Sequence, residues 1–203
     1  MRVNNRFLST RAAAALLAVS LAGPVAAQTP AYSGAPAATV DISRLKIKNA
    51  GRINANYYRG SQPKGRDYAN LAALGIKTVI DLQADGERNE EQLVRTAGMD
   101  FHRIPMTTRV APTQAQIDQF LKIVNDPAAQ PVYVHCKGGR HRTGVMTAIY
   151  RMTMEGWTPD RAFSEMKDFD FGFDFLHPEF KRFVYAYPRM LEVARNQAPA
   201  NMN

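Results

Sequence analysis

The chain has 203 residues, 45% of them hydrophobic, with a formal charge of +8. That size and apolar share suit one globular domain with appendages and exclude a chain too polar to bury a core. A single cysteine excludes an internal disulfide, and the modest basic charge favours anionic partners in general without naming one.

Arg2, Arg6 and Arg11 precede an apolar run from Ala12 to Ala22, and Val25-Ala26-Ala27 offers small residues at a cleavage site. The run falls short of the ~20 residues a membrane span needs, and Pro24 interrupts its end. Residues 1–27 are therefore predicted to be a signal peptide and the protein to be secreted, into a bacterial periplasm. No cysteine follows the run and no arginine pair precedes it, which excludes lipoprotein attachment and gives no sign of twin-arginine export. Residues 28–45, rich in Ala, Pro, Thr and Ser, read as a flexible linker. Residues 46–196 read as the one folded domain and 197–203 as a disordered tail.

Within the domain, 55–63 (ANYYRGSQP) reads as a strand running into a turn marked by Gly60 and Pro63. Asp67 to Leu74 is predicted as a short helix stopped by Gly75, and Lys77 to Leu82 as a second strand. Gly86 to Ala97 reads as a charged, mostly solvated helix ended by Gly98, and Asp100 to Met106 as a third strand. Thr113 is placed to cap a helix from Gln114 to Asn125, with Gln116 as its capping-box partner. Ile117, Phe120, Leu121 and Val124 in that helix have the spacing of a core-facing stripe. Thr158 is predicted to cap a helix from Pro159 to about Asp168. Pro178 to about Asn196 is predicted as a last helix, which Pro188 should kink or split. Alternating strands and helices imply an α/β three-layer sandwich around a largely parallel sheet of four or five strands.

The stretch 131–144 (PVYVHCKGGRHRTG) carries the chemistry. A buried strand leads into a glycine-containing loop and then an apolar helix, predicted from Gly144 to near Gly156. Such a loop aims backbone N–H groups at one point, and the helix dipole adds roughly half a positive charge there. A cysteine on the floor of that cradle is favoured as thiolate, the nucleophilic form. Arg142 would return round the loop to take two phosphoryl oxygens with its planar fork. Thr143 would aim its hydroxyl at the sulfur, while Gly138 and Gly139 permit backbone angles and a close approach that a Cβ would block. His135, Cys136 and His141 do not suit a metal, because neighbouring strand residues face opposite ways and a fourth ligand is missing.

HCKGGRHRTG matches H-C-x-x-G-x-x-R-[S/T]-G, and the chain resembles the protein tyrosine and dual-specificity phosphatase superfamily. The YRGSQP and TVIDL segments are also similar to that family. The basic residues of the loop make it most similar to the atypical dual-specificity phosphatases of the plant and fungal type. The resemblance implies hydrolysis of phosphate monoesters through a cysteinyl-phosphate. Cys136 and Arg142 are then the catalytic residues, and Lys137, Gly138, Gly139, Arg140, His141, Thr143 and Gly144 the substrate-binding ones. It implies no metal and no cofactor. The partner is a phosphorylated protein or inositol phosphate; no nucleic acid, no stable membrane span and a monomeric state are expected.

One departure from the family matters. The loop 106–112 (MTTRVAP) holds no carboxylate where many members place an aspartic acid as proton donor. Such an acid contributes about 10²–10⁴-fold. The acid would then come from elsewhere, the candidates being Asp168, Asp170 and Asp174, which cluster in 166–174 (MKDFDFGFD). Otherwise the substrate has a leaving group that needs no acid, such as the phosphoanhydride of an inositol pyrophosphate, or catalysis is weak. Lys137, Arg140 and His141 add up to three cations to Arg142. The resemblance to the plant and fungal type implies action on inositol polyphosphates or pyrophosphates, with phosphoinositides implied by a likeness of the basic loop to lipid phosphatases. A rhodanese-type sulfur transferase and a phosphate-ester binding module are the rival classes; the Arg142-Thr143 pair argues against the first.

Overall fold

The structure, a computed structural model, describes Ile42 and residues 45–197. The expected signal peptide, nearly all of the linker and residues 198–203 lie outside the described residues.

Five strands form one sheet: β1 (Gly51–Arg52), β2 (Tyr57–Ser61), β3 (Thr78–Gln83), β4 (Asp100–Met106) and β5 (Val132–Cys136). Their order is β1-β2-β5-β3-β4, with only the β1–β2 pair antiparallel. The helices are α1 (Asp67–Ala73), α2 (Glu90–Thr96), α3 (Gln114–Val124), α4 (His141–Met154), α5 (Pro159–Asp168) and α6 (Pro178–Gln197). A short 3-10 turn, Asp174–Leu176, precedes α6.

Strand β5 lies in the middle of the sheet, and both of its faces are covered. Val132, Val134 and Cys136 join a large core with Ile117 and Phe120 of α3, Val145 and Ile149 of α4, Phe163 of α5 and Phe180 of α6. Tyr133, on the opposite face, packs with Tyr68, Leu71 and Val94 of α1 and α2 and with Ile47. Two buried faces explain why β5 reads as an unbroken apolar run rather than an alternating one. The expected three-layer α/β sandwich is what the chain forms.

Several boundaries moved, each for a local reason. The capping box of α3 is complete: Gln116 N–H donates to Thr113 Oγ1 at 3.3 Å and Thr113 N–H to Gln116 Oε1 at 2.8 Å. Leu121 of its predicted stripe is only half-buried, whereas Ile123 is buried. Helix α2 starts at Glu90 rather than Gly86, because Ala84 to Asn89 make turns, and Arg103 Nη2 holds the Glu87 carbonyl at 2.8 Å. As expected, α2 is mostly solvated: of its seven residues only Glu90 and Val94 are buried. Helix α4 begins at His141, three residues before its apolar run. Helix α6 continues through Pro188 instead of splitting; Tyr187 is its last fully buried residue, Leu191 still packs against the core, and Met190 is exposed. The two-residue β1 is too short to carry a sequence signal.

Candidate active site

The cradle sits at the carboxyl end of the central strand, where open α/β sheets take their ligands. Cys136 ends β5 and is 3% exposed. Residues 137–140 form the loop, and Arg140 is the N-cap residue of α4. A cavity of about 260 Å³ opens over it, lined by Thr108, Cys136, Lys137, Arg140, His141 and Arg142, with Gly138.

Gly139 is where the loop requires glycine. Its φ is +66°, and a Cβ there would lie 2.5 Å from Gly60 C and 2.7 Å from Ser61 N, both backbone atoms of β2. Gly138 is different: its nearest obstacle is the Arg140 side chain at 3.5 Å. Gly144 faces Met166 of α5, whose Cε would be 3.2 Å from an added Cβ, so glycine here lets α4 and α5 approach closely.

Arg142 is held by one edge. Its side chain is 4% exposed, and Nη1 donates to Asp85 Oδ1 at 3.0 Å and to the Met106 carbonyl at 3.1 Å. Its Nε is buried without a hydrogen-bond partner among the described residues. The fork is thus anchored at Nη1 while an N–H on its other edge stays unpaired, as an incoming phosphoryl group requires. Thr143 is fully buried and its Oγ1 likewise has no partner among the described residues.

Lys137 and Arg140 are exposed, and Arg140 pairs through Nε with Asp170 Oδ2 at 3.1 Å. His141 turns from the loop toward the helices. Its ring stacks on His177 at 3.7 Å between centroids, and Nε2 lies 3.0 Å from the Phe171 carbonyl. Burial, with His177 beside it, pushes the His141 imidazole below its ordinary value despite the Phe171 contact. At neutral pH His141 is therefore uncharged and adds shape rather than a third loop cation.

The three aspartates considered as proton donors are placed elsewhere. Asp170 is paired to Arg140, and Asp174 is clamped between Lys167 and Lys181, which hold its carboxyl below the usual range. Asp168 ends α5 in an exposed position, and none of the three lines the catalytic cavity. The carboxylate brought to the site is Asp85, on the β3–α2 turn. The hydrogen bond from Arg142 holds its carboxyl below the ordinary value, so it is ionised. No local pattern marks Asp85; it arrives because β3 neighbours β5 in the sheet.

A second unforeseen residue is Arg59, in the YRGSQP strand. It is fully buried, and its Nη2 donates to the Gly139 carbonyl at 2.6 Å while the guanidinium lies 4.0 Å from the Phe169 ring centroid. Burial pushes its basicity below the ordinary value, with Tyr57, Glu165 and Cys136 among the groups that pull it back. Arg59 supports the cradle from β2.

Behind the cysteine, His135 points to the opposite face and meets two buried acids. Its Nε2 is 3.0 Å from Glu90 Oε1 and its Nδ1 3.9 Å from Asp81 Oδ1. Gln62 donates to Glu90 at 2.5 Å, and Arg103 Nε to Asp81 at 2.8 Å. Burial alone would raise the Glu90 carboxyl, but His135, Gln62 and Tyr68 outweigh it and the net shift is downward. For Asp81 burial prevails over His135 and Gln83, and the shift is upward. His135, Asp81 and Glu90 lie close enough to hold a metal ion, yet Arg103 already brings a positive charge to both carboxylates. The fit is to an ion-pair network.

Comparison with known proteins agrees with this geometry. Residues 38–176 match the family described as DSP-PTPase phosphatase fused to NAD+ kinase. The dual specificity protein phosphatase TpbA of Pseudomonas aeruginosa is 34% identical over 165 residues in one strain and 32% in another. Each match covers 79% of this chain and 71% of the relative. The inositol diphosphatase SIW14 of Saccharomyces cerevisiae is 27% identical over 131 residues, 61% of this chain and 46% of that protein. The crystal structure of TpbA in complex with phosphotyrosine superposes with a TM-score of 0.63 at 25% identity, covering 82% of this chain and all of that one. The SIW14 catalytic core shares the fold, with a TM-score of 0.63 at 22% identity over 76% of this chain and 97% of that one. The chain belongs to the dual-specificity and protein-tyrosine phosphatase family, and is a cysteine-dependent phosphatase that hydrolyses phosphate monoesters.

Proposed function

We propose that Cys136 is the nucleophile and Arg142 the phosphoryl clamp of an exported phosphatase of the phosphotyrosine and dual-specificity type. The Cys136 thiolate attacks phosphorus in line; the S–P bond forms as the P–O bond to the leaving group breaks. Water then attacks the cysteinyl-phosphate, the S–P bond breaks, and thiolate and inorganic phosphate are released. The unpaired edge of Arg142 and the loop N–H groups of 137–142 bind the three non-bridging oxygens, where charge gathers in the transition state. The Thr143 hydroxyl assists the departing sulfur. The observation that carries this reading is the arrangement of Cys136 on the cradle floor with an Arg142 fork tied at Nη1 only.

The leaving-group preference rests on the cavity lining, which among the described residues holds no carboxyl. Asp85, the acid in contact with Arg142, is ionised by that contact. Leaving groups that tolerate departing as anions are favoured: a phosphoanhydride most, a phenol of pKa about 10 next, an aliphatic alcohol least. Phosphotyrosine is then preferred over phosphoserine. The second reading, an inositol polyphosphate or pyrophosphate as substrate, is supported by the exposed loop cations Lys137 and Arg140 and by relatives named inositol diphosphatases.

A kcat/KM series for a phosphotyrosine peptide, a phosphoserine peptide and a pyrophosphorylated inositol tests this order. Equal rates for phosphoserine and phosphotyrosine would mean that a working general acid is present and the leaving-group argument is wrong. Export rests on residues 1–27; fractionation of the expressed protein, with the N-terminus of the product starting near Gln28, is the expected result.

A further inference from the structure

A second cavity of about 380 Å³ shares Lys137, Gly138 and Arg140 with the catalytic one and extends away from it to Lys46, Lys48, Lys64 and Asp67. Five cations face one carboxylate there. Asp67 is engaged by the backbone N–H of Lys64 at 2.9 Å, and Arg140 by Asp170. Among the described residues, Lys46, Lys48, Lys64 and Lys137 form no ion pair with any carboxylate.

Nor is this a loose surface. Ile47 is buried in the core between the two exposed lysines of its segment. The Lys48 carbonyl accepts from Ser61 N–H at 2.9 Å, and Asn49 Nδ2 donates to the Gly138 carbonyl at 2.8 Å. The segment is therefore fastened to β2 and to the cradle loop itself, which fixes the backbone that carries Lys46 and Lys48. Like charges gathered on a fixed wall repel each other and are relieved by an anion.

We propose that this cavity is a second anion subsite, which takes a second phosphate group of a substrate whose first phosphate lies in the cradle. The inference rests on the phosphatase reading above. It assigns selectivity to Lys46, Lys48 and Lys64, three residues outside the signature, and names the substrate class as carriers of more than one phosphate. The carrier is either a small polyol or a peptide, and the assay separates them.

The test compares the wild type with Lys46→Gln/Lys48→Gln/Lys64→Gln on p-nitrophenyl phosphate, on an inositol monophosphate against an inositol polyphosphate, and on a singly against a doubly phosphorylated peptide. The expected result is an unchanged kcat/KM for p-nitrophenyl phosphate and a loss of about tenfold for the multiply phosphorylated member of one pair, fading at high salt. The same triple variant in a Cys136→Ser background should bind inositol hexakisphosphate about tenfold more weakly, read by calorimetry without turnover. Equal kcat/KM for singly and multiply phosphorylated members, together with unchanged binding in the Cys136→Ser background, overturns the subsite. Loss of binding in that background alongside a wild type inert on every ester would uphold the subsite and sink the phosphatase reading instead.

Discussion

Replacing Gly139 by alanine should damage the enzyme in a way that replacing Gly138 does not. At Gly139 the new Cβ would meet the β2 backbone at 2.5–2.7 Å, and backbone atoms in a sheet cannot swing aside as a flexible side chain can. The residue also sits at φ +66°, a conformation that costs an alanine about 1–2 kcal/mol. Overpacking adds about 1–3 kcal/mol. Together these predict a destabilisation of about 2–5 kcal/mol, which for a domain of this size lowers Tm by roughly 10 °C. Activity should fall further than stability, because the same movement displaces the loop N–H groups and breaks the Arg59–Gly139 contact; a shift of about 1 Å at a reacting centre costs on the order of 100-fold. Gly138→Ala meets only the Arg140 side chain at ordinary contact distance. It should keep its Tm within about 2 °C and most of its kcat/KM. Thermal denaturation and steady-state kinetics on both variants check this. A Gly139→Ala protein with wild-type Tm and kcat would show that the loop is not wedged against β2, and the account of the cradle would fail.

Two other substitutions probe the surroundings of the cradle. Asp85→Asn removes the charged partner of Arg142 Nη1 but keeps an acceptor, while the Met106 carbonyl still holds the same nitrogen. Because Asp85 is 72% exposed, kcat should drop only about 3- to 10-fold with little change in Tm, and the basic limb of the pH–rate profile should not move. A lost basic limb would instead make Asp85 a proton donor. Glu90→Gln removes a buried carboxylate paired with Arg103 and held by Gln62 and Tyr68, and should cost about 3 kcal/mol at pH 7. The sign of its pH dependence is fixed: a carboxyl whose folded pKa is depressed stabilises the fold above the unfolded value, and that contribution is lost as pH falls through the folded one. The gap in Tm between wild type and Glu90→Gln should therefore narrow on acidification below about pH 4.5; a gap that widens would contradict the assigned direction.

The parts of this architecture that are local in the chain were legible in the sequence. The cradle can be read because Cys136, Gly139, Arg142, Thr143 and Gly144 lie within nine residues and their order encodes strand, loop and helix N-terminus. The α3 cap and the Asp100–Met106 strand are equally local and came out as expected. What escaped depends on contacts across the chain. Arg59 touches Gly139 from 80 residues away, and Asp85 reaches Arg142 across 57. Both follow from the β2-β5-β3 strand order, which no periodicity reveals. Glu90 reads as one more solvated acid in a charged helix until His135 on β5 is seen to face it. Lys46 and Lys48 open the expected domain with no pattern that marks them, and the burial of Ile47 and the Asn49–Gly138 bond place them at the catalytic rim.

The central claim is that Cys136 carries the phosphoryl group. Acid-quenching the wild type during turnover of p-nitrophenyl phosphate, followed by peptide mapping in a mass spectrometer, tests it directly. The account predicts a phosphate adduct on the peptide containing Cys136, and neither adduct nor turnover in Cys136→Ser. Sustained turnover by Cys136→Ser, or an adduct that maps to another residue, would contradict it.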